Sequence, residues 1–366
     1  MSTAADPPSG PPESRTGGAP GPFAPGAPPA EPTTDPSTGR PRRRAPRGAR
    51  ARTIAKQVGA ALLTLLVISI VTFAATNVKS PEEVARNALG RETTEEQLQA
   101  YLEERGLDRP IYIRYVDWLG DFVRGDWGVS AVTNRPVRDD ILPRFEKTLI
   151  LSLVSLLVAL PISVAIAVFM ARRVNSAIDF TLLMGTVIVA ALPEFVVGIG
   201  LLMIFSVTLG WLPVDSTGLS FATDFGSQAK AYVLPALTLV LAMVPYIVRI
   251  GRAAAREALA APYVQAALLR GLSRRSITWD HAMRNAAVPM VNAVAINIVY
   301  LLSGVIVVEN VFAFPGIGQL LVQAIGGGDT TMVQSIALVM GAMFILISLA
   351  ADFLVVYFNP RLKAAH

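Results

Sequence analysis

The chain is predicted to be an all-α polytopic membrane protein with six transmembrane helices. Of its 366 residues 52% are hydrophobic and its mean hydropathy is positive, which is too oily for a soluble protein of this length. Crossing a hydrocarbon core of ~30 Å takes about 20 apolar residues in a helix. Runs of that order lie near 54–76, 148–171, 180–209, 231–248, 287–308 and 332–358. They are continuous rather than alternating, and only helices and closed barrels satisfy every backbone group in lipid.

The elements divide as follows. Residues 1–50 are rich in Pro, Gly, Ala and Ser and then turn basic at RPRRRAPRGARAR. They cannot bury enough apolar surface to offset ordering and are expected to form a disordered cytoplasmic tail. The apolar stretch that follows is too long for a cleaved signal, so 51–78 is the first transmembrane helix. Residues 79–147 form a structured external loop. Ser80 is placed to cap a helix, with Pro81 at its first position, and Thr94 with Gln97 has the spacing of a capping box. Asp108 and Pro110 open a further helix whose Ile111, Tyr115, Trp118 and Phe122 share one face and which Gly125 ends. That stripe suits either a membrane interface or packing on the spans. Residues 148–358 make the transmembrane core, interrupted by a polar loop at about 251–285, and 359–366 form a second cytoplasmic tail.

Charge sets the orientation. Arg172 and Arg173 follow the second span; Arg249, Arg252, Arg256, Arg270, Arg274, Arg275 and Arg284 lie between the fourth and fifth; Arg361 and Lys363 follow the sixth. The opposing short loops contain only Lys230. Basic loops stay in the cytoplasm, so both termini are expected there, in the plasma membrane of a bacterium. The formal charge of +5 therefore reports topology and not nucleic-acid binding. With no cysteine, and with His281 and His366 as the only histidines, no catalytic residue, bound cofactor or metal site is expected. The glycine-rich GIGQLLVQAIGGG lacks the lysine of a phosphate-binding loop.

The polar segment YVQAALLRGLSRRSITWDHAMRN, 263–285, is unlike its neighbours. Pro262 suits the first position of a short helix and Gly271 its end, and Ser273 is placed to cap a second helix leading into the fifth span. Tyr263, Ala266, Ala267 and Arg270 recur at helical spacing, with alanines that permit a partner's close approach. On composition alone the segment reads equally well as a solvated basic loop.

The residues also carry a resemblance. YVQAALLRGLSRR with HAMRNAAVP is similar to the cytoplasmic EAA loop of binding-protein-dependent ABC importer permeases of the dipeptide/oligopeptide/nickel group, with Gln265 in place of the eponymous glutamate. RPIYIRYVDWL, GDWGVS, LPEFVVGIGLL, LGWLP, VVENVFAFPGIGQLL and DFLVVYFNPR agree in order and spacing over about 54–363. The resemblance implies a type I importer permease fold and a first-permease role in which the chain forms half of a peptide pathway. It implies a second homologous permease, two ATPase subunits that carry ATP and Mg, and an extracytoplasmic solute-binding protein. It places ATPase coupling on Tyr263, Gln265, Ala266, Ala267, Arg270 and Gly271. Nickel or another small solute is the alternative cargo.

Ionisable or amide groups inside spans are costly and are read first as functional. Glu194 follows Pro193, where a kink would turn it toward the bundle interior, so it is a candidate pathway-lining residue with Asn292 and Asn297. The two asparagines equally suit interhelical hydrogen bonds. Glu309 and Asp352 lie near span ends, where wet or structural roles are expected. An ATP-independent secondary transporter would show paired broken helices in two halves, which the sequence lacks. An intramembrane hydrolase would need a nucleophile and base at membrane depth, which are also lacking.

Overall fold

The computed structural model describes residues 47–78, 82, 85–86, 94–104, 106–216 and 225–358. The expectations for residues 1–46, for the Ser80 cap and for Arg361 and Lys363 lie outside these residues. Along the described chain run α1 (Arg47–Thr76), α2 (Glu95–Glu104), α3 (Ile111–Arg124), α4 (Val137–Arg172), α5 (Ala177–Ala191) and α6 (Glu194–Thr208). Then come α7 (Phe225–Ala260), α8 (Pro262–Leu269), α9 (Arg274–Val311), α10 (Ile317–Gly327) and α11 (Thr330–Phe358). Among the described residues there is no strand, only an isolated bridge between Val129 and Pro136. Since α1 begins at Arg47, the last residues of the expected tail are helical.

The helices α1, α4, α7, α9 and α11 are long and apolar enough to cross a membrane. The third span differs from expectation: in place of a kinked helix, α5 and α6 meet at 101°. The residue before a proline is disfavoured in the α conformation, and Leu192 is extended at φ −86°, ψ 132°, so the helix stops there. The pair still traverses the bundle. Asp179 at its start bonds to Arg252 of α7, while Ser216, beyond its end, donates to the Ala231 carbonyl at the other end of α7. At ~1.5 Å per residue those two points of α7 are about 30 Å apart.

The helix α7 is the centre of the bundle, with 67% of its most apolar stretch buried against 11% for α1. Around it the core is layered along the bundle. Val168, Ala255, Ala286 and Met290 pack near the α8 end, Leu239, Ile247, Leu301 and Val305 in the middle, and Ile141, Ile317 and Ile336 at the opposite end. Helices outrun their apolar runs because polar turns project past the lipid-matched stretch. Thus α4 begins at Val137, and Val137 and Ile141 are both fully buried.

Local expectations in the loop after α1 are observed. Thr94 N–H bonds to Gln97 Oε1 at 3.2 Å and Gln97 N–H to Thr94 Oγ1 at 3.4 Å, which completes the capping box. Gly125 ends α3 in the left-handed conformation at φ 94°. The α3 stripe packs: Tyr115 and Trp118 lie against Phe73 of α1, and Phe122 stacks on Trp127 at 5.3 Å. Ile111 departs from the stripe and is 54% exposed.

The turn from α9 to α10 is built on Glu309, which is fully buried. Its carboxyl group accepts from Gly318 N–H at 2.7 Å, Gln319 N–H at 3.1 Å and the Thr148 hydroxyl of α4 at 2.5 Å. Thr148 Oγ1 in turn accepts from Ile317 N–H at 2.9 Å. The first turn of α10, whose N–H groups have no intrahelical acceptor, is thereby satisfied by side chains of two other helices. Gly316 and Gly318 make room for this, because a Cβ on either would meet the Glu309 carboxyl, and one on Gly318 would also lie 2.7 Å from Ile306 Cα. The FPGIGQ stretch is thus a seat for a buried acid. Replacing Thr148 by Val, which leaves Ile317 N–H buried without an acceptor, is expected to destabilise by ~1–3 kcal/mol. Gly318→Ala should destabilise by about the same amount through overpacking. Thermal unfolding of the detergent-solubilised chain checks both, and an unchanged midpoint for either variant contradicts the seat.

Candidate functional site

The polar segment folds as two helices joined by a tight turn. Pro262 opens α8, and Ala261 before it is extended at ψ 148°, so α7 stops and α8 begins within one residue. Tyr263 ties the two together: its hydroxyl donates at 3.1 Å to the Ala258 carbonyl in the last turn of α7, which also accepts from Ala261 N–H at 3.4 Å. At the far end Gly271 adopts φ 78°. Its N–H bonds to the Leu268 carbonyl at 3.0 Å and Leu272 N–H to the Ala267 carbonyl at 3.3 Å, a Schellman closure that needs a left-handed residue. Ser273 then caps α9 by accepting from Ser276 N–H at 3.2 Å. The start of α9 includes a π-helical turn, Ile277–Ala282.

The coupling residues named from the sequence divide into two groups. Ala267 faces inward and packs with Val264 against Ile277 of α9. Tyr263, Gln265, Ala266, Arg270 and Gly271 are exposed. The open face also carries residues not singled out from the sequence: Leu268 is 45%, Leu272 41% and Leu269 91% exposed. Val264 and Ala267, three residues apart, mark the inner face, and these leucines fall on the outer one. The two adjacent alanines alone did not show which face turned in.

The pathway candidates are not brought together as one cluster. Glu194 begins α6 at the 101° break, and its Oε2 is buried without a hydrogen-bond partner among the described residues. It sits against Gly304 of α9, where a side chain would collide with its carboxyl. Asn292 is exposed on α9, on a surface that continues through Ile296 and Tyr300. Asn297 is buried, and its amide donates to the Ala293 carbonyl of its own helix at 2.9 Å, not to a neighbouring helix. Asp352 is exposed on α11.

Near the α8 end an ion pair joins two spans. Arg252 of α7 donates from Nε and Nη2 to the two carboxyl oxygens of Asp179 at 2.7 and 2.6 Å. Asp179 is 3% and Arg252 17% exposed. Asn175 N–H and the Ser176 hydroxyl complete the corner: the former donates to Asp179, and the latter accepts from Asp179 N–H. Arg252, read from sequence as a loop charge that reports topology, is therefore part of the bundle. The partner stands 73 residues away in the chain, so sequence spacing did not show it.

Long helices packed around α7, one sharply broken span, and a short open-faced helix between two spans define a membrane transport subunit. Residues 163–364 match the family described as "Binding-protein-dependent transport system inner membrane component", and residues 51–152 match the N-terminal part of such components. The chain belongs to this family and is an integral inner-membrane permease component. It is 33% identical over 300 residues to "Glutathione transport system permease protein GsiC" of Escherichia coli (strain K12), covering 82% of this chain and 95% of that one. It is 30% identical over 284 residues to "Probable peptide ABC transporter permease protein y4tP" of Sinorhizobium fredii (strain NBRC 101917 / NGR234), covering 78% and 90%. A chain of the MetNI methionine ABC transporter, solved in inward facing conformations, shares the fold with a TM-score of 0.50 at 19% identity. It covers 60% of this chain and 96% of its own. The fold is that of an ABC importer permease.

Asp179→Asn would leave the Arg252 guanidinium buried beside a neutral amide, and removing one partner of a buried pair costs roughly 3–5 kcal/mol. The expected result is a lower melting temperature with little recovery in Arg252→Lys, since an ammonium cannot make the two-pronged contact. Unchanged melting in Asp179→Asn contradicts a structural role for the pair.

Proposed function

We propose that this chain forms half of the translocation pathway of an ATP-driven importer of small peptides, dipeptides or oligopeptides, and couples to separate ATPase subunits through α8. The observation that carries the reading is the open face of α8. An apolar side chain such as Leu269, 91% exposed beside Arg270 and at the end of two membrane helices, is a contact surface awaiting a partner. The seat beneath it is firm: Val264 and Ala267 pack on Ile277, and Tyr263 holds α7. A push on α8 is thus transmitted to α7 and α9 together. Nucleotide binding in the ATPases would then bias two arrangements of the spans, with ATP and Mg held by those subunits and not by this chain.

The relatives' names, glutathione and peptide permeases, support a peptide cargo. A second permease of similar fold completes the pathway, and an extracytoplasmic solute-binding protein delivers the cargo. The arginines around α8 support a cytoplasmic location for that end, with both termini on the same side. Glu194 supports a pathway at the broken span, because one of its carboxyl oxygens is buried there with no hydrogen-bond partner among the described residues.

Leu269→Asp and Arg270→Glu leave the Val264–Ala267–Ile277 seat intact. Each is expected to reduce ATPase co-purification and transport together, by about tenfold or more, equivalent to ~1.4 kcal/mol of contact, at unchanged membrane levels. Ala267→Asp instead puts an unpaired charge into the seat and should lower the amount of folded protein. Wild-type ATPase retention in both face variants contradicts the coupling role.

A further inference from the structure

A groove of about 490 Å³ lies along α4 and closes against the start of α9. Leu160, Pro161, Val164, Val168 and Phe169 line it, and Arg172 and Trp279 stand at its end. From 160 to 172 the helix rises ~18 Å, close to one leaflet, half of the ~30 Å hydrocarbon core. The groove is therefore an apolar trough about one leaflet deep, with a guanidinium at its mouth.

The mouth has the chemistry of a membrane interface. Trp279 is 47% exposed and borders both this groove and an adjoining polar cavity of about 430 Å³ that contains Arg275 and Asp280. Tryptophan favours the headgroup level, with its ring toward the chains and its N–H toward water. Arg173 lies over the Phe169 ring, its guanidinium carbon 4.5 Å from the centroid. Against three arginines the mouth holds one acid, Asp280, which the Ser276 hydroxyl engages at 2.8 Å. A soluble subunit cannot reach Leu160 or Val164 at membrane depth. A neutral lipid or an apolar protein helix would fill the trough but leave the guanidiniums without an anion.

We propose that this groove binds an anionic phospholipid, with one acyl chain along Leu160–Phe169 and the phosphate between Arg172 and Arg275 beside Trp279. Basic pockets between transmembrane helices at a membrane surface are suited to such headgroups. The site adjoins the α8 seat at Ile277 but shares no residue with it or with Glu194, and it needs only that α4 and α9 span the bilayer.

The test uses the full chain in bilayers containing acyl-brominated phosphatidylglycerol or phosphatidylcholine. The Trp279 contribution to quenching is taken as the difference between the wild type and Trp279→Phe. Brominated phosphatidylglycerol should quench Trp279 about fivefold more effectively than the choline lipid at equal mole fraction, and Arg172→Gln should abolish the preference. Ala165→Phe, which fills the trough without touching a charge, should reduce quenching by the glycerol lipid. Equal quenching by the two lipids, or a preference that survives both variants, overturns the proposal. Protection of Trp279 from both lipids overturns it as well. Relief of quenching by soluble glycerol phosphate would show a phosphate site without a lipid, and also counts against it.

Discussion

Inside a bilayer every backbone N–H and C=O must find its partner within the protein, and each place where a helix stops needs its own solution. The Glu309 seat is the most complete of these. One carboxyl group and one hydroxyl take up the first N–H groups of α10, and in doing so fasten α4, α9 and α10 at one end of the bundle. Asp329 does similar work a turn further on: it accepts from Met332 N–H at 3.1 Å at the start of α11 and from the Ser130 hydroxyl of the loop before α4. The opposite end is held by the Asp179–Arg252 pair and by Tyr263 on the last turn of α7.

The break at Pro193 differs from these corners. Neither Pro193 nor Leu192 offers a side-chain cap, and Glu194, which begins the next helix, has a buried oxygen without a partner among the described residues. At the Glu309, Asp329 and Asp179 corners side chains of this chain take up the free backbone groups; at this break none does. On the proposed reading, a pathway or a second subunit passes along the bend. The bend also gives Gly304 a purpose, since any larger residue there would push α9 away from α6.

What the sequence revealed follows the range of the interactions. The Thr94–Gln97 box, the Gly271 turn, the Ser273 cap and the Gly125 stop act over a few residues, and residue type alone determines them. The span positions were legible because hydrocarbon thickness imposes a length. Partners far apart in the chain were not. Glu309 was readable as structural by its place near a span end, but its three donors come from residues up to 161 positions away. The expected kink at Pro193 is a 101° break, because Leu192 before the proline is extended and not helical, a conformation that residue type favours but does not fix. At α8 the periodicity was plain, yet which face turned in depended on Ile277, whose role only folding discloses.

On the proposed reading, transport by this chain rests on the open face of α8 being covered in the assembled importer. The chain has no native cysteine, so a single Leu269→Cys substitution provides an uninterrupted probe. The rate of its modification by a small thiol reagent, in membranes containing the chain alone and in membranes containing the chain with its ATPase subunits, measures the covering directly. The account predicts rapid labelling of the lone chain and strong protection when the ATPases are present, with Arg173→Cys, outside α8, labelled alike in both. Equal labelling of Leu269→Cys with and without the ATPases would contradict it.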